Sequence, residues 1–100
     1  MPGPSVDVNP NHCTINPPGE VHAPSKSQNG FVNFNATAPC TVLFDPPDVF
    51  KRSSAQLSQG NNKLDIETEA GHSVVTIAGC EDKMPRSVGA AGDPTDIIVP

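Results

Sequence analysis

A chain of 100 residues suffices for one domain and one modest core. Its net charge is −5, and its six cations (Lys26, Lys51, Arg52, Lys63, Lys83 and Arg86) are scattered, with only Lys51 and Arg52 adjacent. Nucleic acid and anionic membrane surfaces both call for clustered positive charge, so neither is expected as a partner. No apolar run approaches the roughly 20 residues of a membrane-spanning helix, so no membrane insertion is expected, and 12 Pro with 8 Gly leave little room for long helices.

Residues 1–29 hold six of the twelve prolines and little periodicity. The opening MPGPSVDVNP has neither the basic start nor the apolar stretch of an export signal. A signal already removed would leave the same pattern, so these residues do not decide the compartment. Val6-Asp7-Val8 is expected as a short edge strand and Cys13-Thr14-Ile15 as another, ended by Pro17-Pro18-Gly19. Val21 to Asn29 is polar and turn-prone, with Pro24 and Asn29-Gly30 as breakers. The whole segment is expected to run along a sheet edge.

The periodic part of the chain covers 30–100. FVNF alternates, with Val32 and Phe34 on one face. CTVLF alternates as well, with Cys40, Val42 and Phe44 opposite Thr41 and Leu43. Asp45 to Asp48 reads as a turn, Val49-Phe50 as an apolar plug, Ala55 and Leu57 as a short strand, and SQGNN as a second turn. In KLDIETE, Leu64, Ile66 and Thr68 face one way and Lys63, Asp65, Glu67 and Glu69 the other, the pattern of a sheet with one dry and one wet side. HSVVTIAGC carries apolar residues on both faces, as a central strand does. Residues 81–94 read as a loop and DIIVP as a closing strand. Six to eight short strands separated by turns predict an all-β, antiparallel Greek-key sandwich.

The residues that carry chemistry are few. Cys40 shares the apolar face of its strand, where a structural residue, a metal ligand or half of a disulfide would all fit. His12, His22 and His72 share no ligand spacing and are expected at the surface. A Cys-His nucleophilic pair has no local signature here. Glu67, Glu69, Glu81 and Asp82 read as a solvated face, NAT (Asn35 to Thr37) as a turn that also matches a glycosylation sequon, and no glycine loop has phosphate-binding spacing. No enzymatic activity is expected.

Val32-Asn33-Phe34-Asn35, followed by Pro39-Cys40-Thr41-Val42-Leu43-Phe44-Asp45, resembles the strand-turn-strand of the cupredoxins, the plastocyanin-like copper proteins. There a copper-binding His follows the proline, and Cys40 stands in its place. EAGHSVVTIAGC resembles the later strand that delivers the copper-binding cysteine, here Cys80, and DIIVP resembles the closing strand. A blue-copper site needs two His, a Cys thiolate and a weak axial Met. Cys80 is followed by Glu81, Asp82, Lys83 and Met84, which supplies a Met but no His.

The resemblance implies a cupredoxin-like sandwich in which Cys40 and Cys80 meet at one end. In an oxidising compartment they would form a disulfide, worth about 3–4 kcal/mol in the chain-entropy picture. It leaves as alternatives a soft copper site of Cys40, Cys80 and Met84, two unlinked buried thiols, or a pairing that involves Cys13, which is otherwise expected to be the unpaired thiol. Three functional readings follow. The first is a non-enzymatic, secreted or periplasmic cupredoxin-like domain without a cofactor, structural or interactive in role. The second is a copper-binding electron-transfer protein with an unusual Cys/Met site. The third is an immunoglobulin-like adhesion or accessory module. A monomer is expected, with a protein partner left open.

Overall fold

The computed structural model describes residues 3–80 and 95–100. In chain order the strands are β1 (Ser5–Asn9), β2 (Thr14–Asn16), β3 (Gly19–His22), β4 (Phe31–Ala36), β5 (Cys40–Asp45), β6 (Ser54–Leu57), β7 (Gly60–Asp65), β8 (Gly71–Ile77) and β9 (Thr95–Val99), with one short 3₁₀ turn at Lys26–Gln28. They form an all-β sandwich of two sheets, ordered β2-β1-β4-β7 and β3-β9-β8-β5-β6. The chain passes from the first sheet to the second between β2 and β3, back between β3 and β4, over again between β4 and β5, back between β6 and β7, and over once more between β7 and β8. No helix among the described residues is long and apolar enough to cross a membrane.

Each expected strand forms at least in part, KLDIETE only as far as Asp65 and HSVVTIAGC only as far as Ile77, and the proline-rich segment adds one more. Most neighbours are antiparallel, but β1 lies parallel to β4 and β3 parallel to β9, so both sheets are mixed. β2 and β3 are outermost in their sheets, as expected of an edge segment. The Val6–Val8 strand is not: β1 is paired on both sides, by β2 and by β4. Both of its inward side chains, Val6 and Val8, are fully buried, which two flanking strands make achievable.

The core follows the period-two rule for strands. Val6 and Val8 of β1, Ile15 of β2, and Val32 and Phe34 of β4 face Val42 and Phe44 of β5, Val75 and Ile77 of β8, and Ile97 and Val99 of β9. Phe34, Phe44 and Phe50 meet at its centre, with ring centroids 4.7 to 6.1 Å apart. β8 sits between β5 and β9 as its two-faced pattern requires, and Thr76, on the face opposite Val75 and Ile77, is also buried.

Buried polar groups in this core are matched. Ser73 is fully buried; its hydroxyl donates to the Pro46 carbonyl and accepts from the Val49 N–H at 3.1 Å. This pins the β5–β6 connection onto β8. Ser73→Ala would leave the buried Val49 N–H without its acceptor, at a cost of about 1–3 kcal/mol. Urea denaturation should read a loss in that range, and an unchanged midpoint would mean that the N–H finds another partner.

Candidate functional site

The site singled out by the sequence lies at one end of the five-stranded sheet. β5 and β8 are antiparallel neighbours, with Val42 opposite Ile77 and Phe44 opposite Val75. Cys40 is the first residue of β5 and Cys80 lies three residues beyond β8, so both cysteines belong to the same end. The ladder continues one step past β8 through the Ala78 N–H to the Thr41 carbonyl (2.9 Å). There the chain turns: Gly79 has φ +90°, a backbone region that favours glycine, and the Cys80 N–H bonds back to the Ile77 carbonyl at 3.0 Å.

That turn decides the cross-link. It lifts Cys80 off the β5 ladder and toward the segment entering β2, where its sulfur is bonded to Cys13 (S–S 2.08 Å, Cα–Cα 5.5 Å). The expected Cys40–Cys80 bridge is therefore corrected to Cys13–Cys80, and Cys13 is not the unpaired thiol. The difference has a structural reason. A Cys40–Cys80 bond would tie two neighbouring strands of one sheet, whereas Cys13–Cys80 spans from one layer to the other. Both bonded cysteines are buried, and their sulfurs pack 3.8 and 3.9 Å from the Pro10 carbonyl oxygen.

Cys40 is the free cysteine. It is half-buried, packs against the core and stands opposite Leu57 of β6. Burial pushes its thiol pKa up. The folded protein thus holds this proton to higher pH than the unfolded chain does. The resulting contribution to stability is complete below the unfolded thiol's pKa and is lost as pH rises through the folded one. Alkylation of Cys40 at neutral pH should be slower than that of an unfolded thiol peptide, with the gap closing in alkali. Equal neutral-pH rates would mean that the thiol stands free in water.

Of the proposed ligand set Cys40, Cys80 and Met84, Cys80 carries no thiol while the disulfide is intact, and Met84 lies outside the described residues, as do Glu81, Asp82 and the rest of 81–94, for which a loop is expected. His12, His22 and His72 are exposed, as expected. His72 Nδ1 lies 3.0 Å from an Asp96 carboxylate oxygen across the β8–β9 pair, and His22 lies 3.9 Å from Glu20. Among the described residues no three His, Cys, Asp or Glu side chains converge on one point.

A second surface was invisible in the sequence. Lys26, Lys51, Arg52 and Lys63, spread over nearly forty positions, line one open groove of about 690 Å³ beside β7. Comparison with protein-family models, with curated proteins and with solved structures gave no match to the chain. What the fold and site define is a class: a small all-β sandwich whose two layers are joined by a buried disulfide, the kind of bond that persists in an oxidising compartment.

Proposed function

We propose that the chain is a non-enzymatic cupredoxin-like domain, periplasmic or extracellular, whose copper-site end has become a structural joint. The observation that carries this reading is the fate of Cys80. The resemblance requires Cys40 and Cys80 at one end of neighbouring strands, and β5 and β8 are neighbours. The sulfur that would bind copper is instead bonded to Cys13. An immunoglobulin-like module calls for these cysteines on strands that are not neighbours, so the β5–β8 pairing favours the cupredoxin-like reading over it. The remaining role is structural or interactive.

A thiol count on the unfolded, unreduced protein tests this. One reactive thiol is expected, and peptide mapping should place it at Cys40. Added Cu(II) should then give no visible thiolate-to-copper charge-transfer band. A strong band without reductant would instead favour a copper-binding electron-transfer protein built on Cys/Met ligands.

A further inference from the structure

All four cations of the described residues lie on one edge of an otherwise acidic molecule. The groove they line is floored by the nearly buried Phe50 and the half-buried Leu64. Its walls come from separate parts of the chain, held together by backbone bonds. Glu67 N–H donates to the Val49 carbonyl (2.8 Å), Ile66 N–H to Gly30 (2.9 Å) and Lys26 N–H to Thr68 (2.9 Å). Gly30 has no space for a side chain, since a Cβ there would stand 1.9 Å from the Pro24 carbonyl oxygen. The 3₁₀ turn carrying Lys26 is thereby fixed against the continuation of β7.

The groove also runs along an open strand edge. β7 is outermost in its sheet and is paired only with β4. Three consecutive β7 residues, Lys63, Leu64 and Asp65, line the groove. Successive strand residues point to opposite faces, so a groove touched by three in a row lies along the strand's edge. Such an edge presents unpaired backbone groups that can accept an added strand.

We propose that this groove docks an extended acidic segment of a partner protein, laid along β7. The cations differ in how committed they are. Lys26 is paired with Glu67 at 3.5 Å, and Lys63 sits over the Phe31 ring, 4.6 Å from its centroid. Lys51 and Arg52 are exposed, and neither has an ion-pair partner among the described residues. They are the free positive charge at the groove's mouth. Asp65 and Glu67 stand among the cations and would repel a compact polyanion such as a nucleic-acid backbone. An extended peptide can place its carboxylates beside Lys51 and Arg52 and leave the two acids facing backbone. This docking site does not depend on any copper ancestry.

The test uses a fluorescently labelled peptide of alternating glutamate and valine. It should bind the whole protein despite the net charge of −5. Binding should weaken with salt, and amide shifts should concentrate in 50–52 and 60–67. The Lys51→Glu, Arg52→Glu double variant, changed at exposed positions, should lose affinity about tenfold or more. Glu20→Lys, on β3 at the far edge of the other sheet, should change it little. Several results would overturn the proposal: no binding at low salt, binding unaffected by the double reversal, shifts spread over the whole surface, or tighter binding of inorganic phosphate or a single-stranded oligonucleotide than of the peptide.

Discussion

Replacing Cys13 and Cys80 together by alanine is expected to destabilise the protein by about 4 kcal/mol. The bond closes a segment with a sequence separation of 67. For a loop of that length the chain-entropy picture falls between about 3 kcal/mol for short loops and nearly 5 for long ones. Domains of this size are stable by roughly 5–15 kcal/mol in total, so the loss would remove a large part of what holds the fold. The melting midpoint should fall by roughly 20 °C. The double replacement matters because it leaves no new thiol that could pair with Cys40. The urea m-value should rise, since the uncrosslinked denatured chain exposes more surface. Cys40→Ala, by comparison, removes a half-buried side chain with no covalent partner and should cost far less. A double variant within 1 kcal/mol of wild type would mean that packing alone already fixes the two layers.

Phe34→Ala is expected to cost about 3–5 kcal/mol, the range for deleting a buried aromatic ring. Phe34 is fully buried on β4 in one sheet. It meets Phe44 of β5 in the other at 6.1 Å and Phe50 at 5.9 Å. With four Phe and no Tyr or Trp in the chain, these three rings are the only aromatic groups buried among the Val and Ile side chains of the described core. Phe34→Leu keeps most of the volume and should cost much less. The fourth ring supplies the internal comparison. Phe31 is on the same strand but of opposite parity, half-exposed under Lys63. Phe31→Ala should therefore lose only a small fraction of the Phe34→Ala effect in urea denaturation. Equal losses would show that the parity of β4 is misassigned.

The parity of side chains was legible because it is a local property. Val32 and Phe34, Val42 and Phe44, and Leu64 and Ile66 point inward as their alternation predicts. Partners across long sequence distances were not. β3 has only Gly19 and Val21 facing inward, between Pro17-Pro18 and Pro24, and reads locally as turn. It exists because it lies parallel to β9, some 76 positions away. The start of β7 reads locally as a turn for a similar reason. Gly60, Asn61 and Asn62 have turn chemistry, yet they pair with β4. The Asn62 amide is spent on the Phe34, Ser58 and Gly60 carbonyls, so this polar stretch fits an outer strand.

The cysteines obey the same limit. Cys40 shares the parity of Val42, and the resemblance sets it beside Cys80, whereas nothing local to Cys13 points to Cys80. The pairing with Cys13 depends on the turn at Gly79, whose direction no spacing rule encodes. The cations were scattered in the chain and gathered in space because Lys26 and Lys63 are brought together through the Lys26–Thr68 and Gly30–Ile66 backbone bonds.

The joint between the layers also limits how far the protein can be stretched. Pulled from its two ends, the reduced molecule can pay out its whole length. The oxidised one keeps everything between residues 13 and 80 inside a covalent ring, so roughly 230 Å of contour stays hidden however hard it is pulled. A tether built from this domain would yield a short, fixed slack when oxidised and a long one when reduced, and the step length in a single-molecule trace would report its redox state directly.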